Sequence, residues 1–181
     1  MPPAQKPPSM AQGPPVDRPA SGCPTVAVTA KPPPLLDPPP PSTVYQSMAK
    51  APPAGASLDA PLHLAVYAAR PDAMAVLHSH GPHSIAMTLD GEDFVPADFE
   101  GRYYFPVVPV LDIPHELYTA RSPEEVAAAL ATHRVCVVRG HGVYAAAESL
   151  DLAYKWTCSL ESSARIAWLA RTADIDTGRA R

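Results

Sequence analysis

Three histidines stand where their side chains can converge on a metal ion. His78 and His80 close a predicted strand over 73–80, and residues two apart on a strand face the same side. His141, with a glycine on either side, follows a second predicted strand over 134–139. Three neutral imidazoles leave zinc an open position for a substrate, as in catalytic zinc sites. The alternative is that these histidines only cap strands or bind backbone groups.

An acidic side chain, Asp59, precedes His63 by four residues on the first predicted helix, so the two share one helix face. A carboxylate on that face can reach a bound metal or act as a general acid or base. The other interpretation is that the charge of Asp59 stabilises the N-terminus of the helix. Spacing alone favours this second interpretation.

Strands and helices alternate in the predicted elements that carry these residues, which indicates a layered α/β domain. Ser57 is predicted to cap the first helix, which ends before Arg70 and Pro71. Weaker strand predictions fall on 25–30 and 43–47. The other predicted elements are helices over 83–89, 122–132 and 148–170 and a strand over 103–110.

Proline divides the chain of 181 residues, because 17 of its 25 prolines lie before position 57. Residues 1–24 have almost nothing to bury and are predicted to be a disordered tail. A partly ordered Pro-rich segment over 25–54 leads into a folded domain over 55–172. Residues 173–181 are predicted to be a flexible C-terminus.

Composition and charge exclude several classes of protein. With 14 Lys+Arg against 18 Asp+Glu, the formal net charge of −4 leaves no broad basic surface for nucleic acid. No apolar run approaches the roughly 20 residues of a membrane helix, and the start has no apolar core of a signal peptide. Three cysteines without close spacing form neither a disulfide framework nor a cysteine zinc site. A cytoplasmic location is therefore expected.

Five segments between about residues 55 and 170 form a recognisable series. They are Asp59-x-x-x-His63, Arg70-Pro-Asp72, His78-Ser-His80, Val138-Arg-Gly-His141-Gly-Val-Tyr-Ala145 and Leu160-Glu161. In this order and with these separations, they resemble the class II aldolase/adducin family, and the agreement in order and separation makes the resemblance specific.

The resemblance implies a three-layer α/β/α sandwich, commonly assembled as a homotetramer. It implies that His78, His80 and His141 bind a divalent metal, usually zinc, with Fe²⁺ or Mn²⁺ as alternatives. It also places Asp59 where the family has a catalytic Glu that moves a proton. A Tyr from a neighbouring subunit often assists in the family, and Tyr103 and Tyr104 are the nearest candidates, although packing at a sheet edge explains them better.

The implied activity is that of an aldehyde-lyase of carbohydrate metabolism, of the type that cleaves L-fuculose 1-phosphate. Such enzymes split a carbon–carbon bond in a small ketose or sugar phosphate through a metal-stabilised enediolate. Other members of the fold are epimerases, dehydratases, decarboxylases and iron-dependent oxygenases. A non-catalytic module, as in the adducin head, is a third possibility, and the three retained histidines argue against it.

The chain departs from the family in three ways. Asp59 is one methylene shorter than Glu, and a displacement of about 1 Å can lower a rate roughly 100-fold. The family's Gly-Asn-x-Ser-x-Arg phosphate loop is not found, and residues 25–54 resemble only a remnant of that region, so activity would be impaired. Ser57 is then the one hydroxyl that can be named for substrate binding. Ala146 and Ala147 stand where members often have Gly.

Overall fold

The structure, a computed structural model, describes residues 57–177 and the main chain of residues 27–30. The predicted tail over 1–24 and the predicted strand over 43–47 lie outside these residues. The domain boundaries proposed from the sequence therefore stay predictions. The strands are β1 Ala27–Ala30, β2 Ala75–Ser79, β3 Val110–Leu111, β4 Val135–Val138 and β5 Gly142–Ala147, and the α-helices are α1 Ala60–Ala69, α2 Pro82–Ala86, α3 Phe99–Tyr104, α4 Tyr118–Leu130 and α5 Leu150–Thr172, with a 3₁₀ turn at His115–Leu117.

The five strands form one mixed sheet in the order β1-β2-β5-β4-β3. Its pairs are antiparallel except for β3 with β4. Helices α1 and α4 pack on one face, and α2, α3 and α5 cover the other. The predicted three-layer α/β/α sandwich is confirmed. No helix in the described part of the chain is both long and apolar enough to span a bilayer.

The central strands are buried on both faces, so their side chains divide between two cores. Leu77 belongs to the core under α5, whereas Val76 belongs to the core under α1 and α4. Because side chains alternate along a strand, His78 lies on the same face as Val76. This parity directs His78 toward the helices that carry Asp59 and Tyr118.

The Arg70 side chain connects the end of α1 with two other elements. Its Nη1 donates to the carbonyls of Leu130, His133 and Ala146, at distances of 3.5, 3.3 and 3.0 Å. The first two carbonyls lie at the end of α4 and just beyond it, and the third belongs to β5. With only 17% of its side chain exposed, Arg70 holds α1, α4 and β5 in one arrangement.

Replacing Arg70 by Met should lower the free energy of unfolding by about 1–3 kcal/mol, because the partly buried carbonyls lose their donor while the apolar stem is kept. Denaturant titration measures the change. Arg121→Met is the matched control, since Arg121 is exposed and pairs with Glu125 on the same helix, and it should cost less than about 1 kcal/mol. Equal losses in the two variants would contradict the role given to Arg70.

The strand predicted over 103–110 is wrong for most of its length. Tyr103 and Tyr104 end helix α3, whose N-cap residue Asp98 accepts a hydrogen bond from the backbone N–H of Gly101. Only Val110 of the predicted segment enters the sheet. The aromatic and β-branched composition favoured a strand, but the prolines at 106 and 109 restrict its pairing and the cap upstream starts a helix.

A strand was missed at β5, and one helix start was misplaced. The segment Gly142–Ala147 is rich in alanine, which has low strand propensity. It is nevertheless the centre of the sheet, between β2 and β4, where small side chains allow α5 to pack closely. Helix α4 begins at Tyr118 and not at Ser122, so Pro123 lies inside the helix and not at its start.

Candidate metal centre

The sheet itself brings the three histidines together. Strands β2 and β5 are antiparallel neighbours, and Ser79 at the end of β2 pairs with Val143 near the start of β5. His80 therefore follows β2 at the point where His141 precedes β5. Each histidine offers one ring nitrogen, and these atoms all lie within 4.8 Å of one another. The structure thus gathers His78, His80 and His141 at one edge of the sheet.

The hydrogen bonds of His78 fix which nitrogen is free to bind a cation. Its Nδ1 lies 3.0 Å from the carbonyl oxygen of Val143, which can only accept, so Nδ1 carries the proton. The Nε2 lone pair then points at Nε2 of His80, 3.0 Å away, and at Nε2 of His141, 3.1 Å away. A histidine held this way by its second nitrogen is typical of metal ligands.

The same surroundings keep the imidazoles of His78 and His141 neutral. Burial, reinforced by the neighbouring His80 and His141, lowers the pKa of His78 to about 4. Burial and His80 also lower the pKa of His141. Neutral imidazoles offer the lone pairs that a cation requires.

The two nitrogen–nitrogen distances from His78 fit a tetrahedral ion. Zn–N bonds of about 2.0–2.1 Å place two ligand nitrogens about 3.3 Å apart, close to the distances that separate His78 from His80 and His141. The donor set therefore fits zinc, and imidazole also suits Fe²⁺.

Glycine is required at position 142 by close approach. A Cβ added to Gly142 would lie 2.6 Å from the carbonyl oxygen of Ser79 and 2.8 Å from Cε1 of His78. Gly140, with φ of 68°, adopts the left-handed conformation that turns β4 into β5. The glycines around His141 thus serve the turn and the contact between β5 and β2.

Asp59 lies beside the histidines and is only 9% exposed. It occupies the N-cap position of α1, yet its side chain makes no cap hydrogen bond. Its Oδ2 lies 4.0 Å from Nε2 of His78, and its Oδ1 accepts a hydrogen bond of 2.7 Å from the hydroxyl of Tyr118. The side chain therefore turns away from the helix and toward the histidines.

Two tyrosines that sequence reasoning missed complete this arrangement. Tyr118 begins α4, and Tyr144 lies in the middle of β5 on the face of His78. Burial raises the pKa of both phenols, so both keep their protons at neutral pH. The sequence carries no local signal for Tyr144, because its place beside His78 follows from the pairing of β5 with β2.

An open cavity of about 600 Å³ leads to the histidines. Ser57 and Asp59 line it together with all three histidines, and the roles predicted for these five residues stay predictions. Arg139 and His115 also line it, and Arg139 donates through Nε to the carbonyl of Leu89. Its volume lies in the range of ordinary small-molecule sites.

Tyr103 and Tyr104 do not reach this cavity within one chain. Tyr103 is 74% exposed, and Tyr104 lies against Trp156 and beneath the ammonium of Lys155. Both line a separate hollow beside α5. Their role through a neighbouring subunit stays a prediction.

Glu161 of α5 anchors the chain just beyond His80. Its carboxylate accepts hydrogen bonds from the backbone N–H groups of His83 and Ser84, from the Ser84 hydroxyl and from Nδ1 of His83. Burial alone would raise the pKa of Glu161, but these hydrogen bonds outweigh burial and lower the pKa below its ordinary value. Glu161 thereby caps the short helix α2 and fixes the turn at Gly81 that follows His80.

Replacing Glu161 by Gln should reduce the free energy of unfolding at pH 7 by about 1–3 kcal/mol, because an amide cannot accept all of these hydrogen bonds. A carboxyl whose pKa is lowered by folding stabilises the protein above its ordinary pKa near 4.5, and this contribution is lost as the pH falls through the lower folded-state pKa. Denaturation as a function of pH should therefore show the difference between wild type and variant shrinking below about pH 4.5. Glu124→Gln, at an exposed position of α4, is the matched control. A difference that stays constant with pH would contradict the account.

Comparison with known proteins identifies a family for most of this chain. Residues 39–168 match the family described as the class II aldolase and adducin N-terminal domain. The crystal structure of L-fuculose-1-phosphate aldolase from Thermus thermophilus is 32% identical, with a TM-score of 0.64 over 73% of this chain and 70% of that one.

Curated relatives are similar over a shorter span. A 3,4-dihydroxyphthalate decarboxylase from Rhodococcus jostii (strain RHA1) is 30% identical over an alignment of 113 residues that covers 59% of this chain and 46% of that protein. A second relative, from Streptomyces roseochromogenus subsp. oscitans, is a 4-hydroxy-3-prenylphenylpyruvate oxygenase/4-hydroxy-3-prenylbenzoate synthase. It is 26% identical over 62% of this chain and 41% of the length of that protein. The chain thus spans less than half the length of these curated relatives.

Proposed function

The chain belongs to the class II aldolase and adducin family, and on that premise we propose that it is a metal-dependent lyase of the aldolase type. The observation that carries the proposal is the meeting of three ring nitrogens beside the carboxylate of Asp59 in one open cavity. The ligands for a Lewis-acid metal ion, the three histidines, then lie beside a proton-transfer group, Asp59. Metal-dependent cleavage of a carbon–carbon bond uses both.

In this proposal His78, His80 and His141 hold a divalent ion, most favourably zinc, with Fe²⁺ or Mn²⁺ as alternatives. The ion supplies Lewis acidity toward the oxygens of the substrate. Asp59 accepts the proton of the substrate hydroxyl as the carbon–carbon bond breaks, and returns a proton to the carbon that was released.

The substrate that we propose is a small ketose or its phosphate. Support comes from the relative that is 32% identical, an L-fuculose-1-phosphate aldolase, and from the size of the cavity. Ser57, which lines the cavity, is proposed to donate a hydrogen bond from its hydroxyl to the substrate. Its Oγ also accepts a hydrogen bond from the backbone N–H of Asp59, which ties the substrate position to the acid.

Decarboxylation is the second candidate, and two observations favour it. A relative that is 30% identical is a 3,4-dihydroxyphthalate decarboxylase. Arg139 lines the cavity with 40% of its side chain exposed, and its guanidinium pairs with the exposed Asp112 at 3.4 Å. Guanidinium groups bind carboxylates well, and a substrate carboxylate would replace this exposed partner. Both candidate reactions break a carbon–carbon bond and leave an electron pair beside an oxygen, so the same residues serve either.

Product analysis tests the proposal. The metal-loaded protein is incubated with L-fuculose 1-phosphate or with 3,4-dihydroxyphthalate, and dihydroxyacetone phosphate or carbon dioxide is measured. We expect the first product, and its formation should stop after the metal is removed with a chelator and return when zinc is restored. Carbon dioxide alone would favour decarboxylation, and no product from metal-loaded protein would favour a non-catalytic, adducin-like module.

Assembly and location are also proposed. Phe99 and Tyr103 of α3 are 88% and 74% exposed, and Trp168 of α5 is 43% exposed, which supports burial of this side against further copies in a homotetramer. Sedimentation velocity measures the assembly. The free thiols of Cys136 and Cys158 support the expected cytoplasmic location.

A further inference from the structure

Both carboxylate oxygens of Asp59 contact a tyrosine hydroxyl. Tyr118 donates to Oδ1 over 2.7 Å, and Tyr144 donates to Oδ2 over 3.2 Å. The two hydroxyls also lie in hydrogen-bonding contact with each other. The carboxylate of Asp59, which lines the cavity, is thus held by two different elements, α4 and β5.

The number of hydroxyl protons limits how many of the contacts among Asp59, Tyr118 and Tyr144 can be hydrogen bonds at one time. Two neutral phenols carry two hydroxyl protons, whereas the three contacts among the oxygens would use three. The shorter of the two distances to the carboxylate is the one from Tyr118. Tyr118 is therefore the principal donor to Asp59. The hydroxyl proton of Tyr144 is shared between Oδ2 of Asp59 and the hydroxyl oxygen of Tyr118.

Each tyrosine also touches a histidine of the candidate metal centre. The ring of Tyr144 stacks on that of His78, with centroids 4.1 Å apart and planes inclined by 9°. The ring of Tyr118 lies 4.6 Å from that of His141. The two tyrosines therefore connect the carboxylate of Asp59 with the imidazoles of His78 and His141.

We propose that Tyr118 and Tyr144 are positioning residues that hold the carboxylate of Asp59 at a fixed place and orientation beside the three histidines. The inference deepens the proposed function and rests on it, because the position matters to turnover only if Asp59 moves the proton. Tyr118 is 8% exposed and lines the cavity, whereas Tyr144 is wholly buried. Tyr118 is therefore the member of the pair that can be changed with the least effect on the core.

Tyr118→Phe removes one hydroxyl and keeps the ring beside His141. We expect kcat and kcat/KM to fall together by about 10–100-fold, the range found when a partner of a site residue is removed. Zinc affinity, measured by competition with a chelating dye, should stay unchanged because the ligands remain. In a crystal structure of the variant, the carboxylate of Asp59 should rotate or occupy two positions.

Tyr67→Phe is the matched control, since its hydroxyl accepts a hydrogen bond from the backbone N–H of Val76 on the same side of the sheet. It should leave Asp59 and turnover unchanged. An Asp59 that keeps its position in Tyr118→Phe and in the double variant with Tyr144→Phe would overturn the inference, and so would unchanged turnover in Tyr118→Phe. If wild type turns over no substrate, the proposed function fails. The crystal structure of the variant still tests the positioning inference, because it shows whether the carboxylate of Asp59 has moved.

Discussion

Replacing His141 by Ala is expected to weaken the binding of zinc by more than about 100-fold and to remove turnover. Even the loss of a group that only orients a ligand lowers metal affinity about 10–100-fold, and His141 is proposed to be a ligand itself. Its removal leaves two imidazoles, both from the end of β2, and opens the centre to water. Isothermal titration of metal-free protein with zinc measures the change.

His133→Ala is the control for this experiment. The ring of His133 lies against the carbonyl of Ala129, at the end of α4 and outside the cavity. Its loss should leave zinc binding and turnover as in wild type. If His141→Ala bound zinc as tightly as wild type, the three histidines would not form the site.

Replacing Asp59 by Asn should lower turnover by about 10²–10⁴-fold while zinc still binds, because the amide cannot take up the proton. The change preserves the size of the side chain and an oxygen that accepts from Tyr118. Steady-state kinetics of metal-loaded protein, with metal content measured on the same sample, separates the two effects.

The same substitution at Asp72 provides the matched control. Asp72 is exposed on the turn after α1, where it pairs with Arg70. Asp72→Asn should change neither turnover nor metal content. Full turnover in Asp59→Asn would remove Asp59 from the mechanism, and loss of zinc from that variant would make the carboxylate a ligand.

The nearness of His78 to His80 could be predicted from the sequence because it depends on a short-range rule. Two residues that flank a third on a strand share a face, which places His78 and His80 together whatever the rest of the fold does. The meeting with His141 required the family resemblance, since nothing local sets β2 beside β5. The reason for the meeting is the antiparallel register of Ser79 with Val143.

The contacts of Tyr118 and Tyr144 with the carboxylate of Asp59 could not be predicted, because they depend on elements whose bounds the sequence does not indicate. Tyr144 lies in an alanine-rich strand whose composition does not favour a strand, and Tyr118 precedes the predicted start of its helix. Asp59 itself matched a helix N-terminus as well as a site residue. Only the packing of α1 and α4 on the same face of the sheet turns its side chain toward the histidines.

Anomalous X-ray diffraction from crystals of zinc-loaded protein, recorded at the zinc absorption edge, tests the central claim most directly. The account predicts one strong peak per chain, about 2.0–2.1 Å from Nε2 of His78, His80 and His141. A protein that binds zinc in equal amount to the chain but shows its peak at other residues would contradict it.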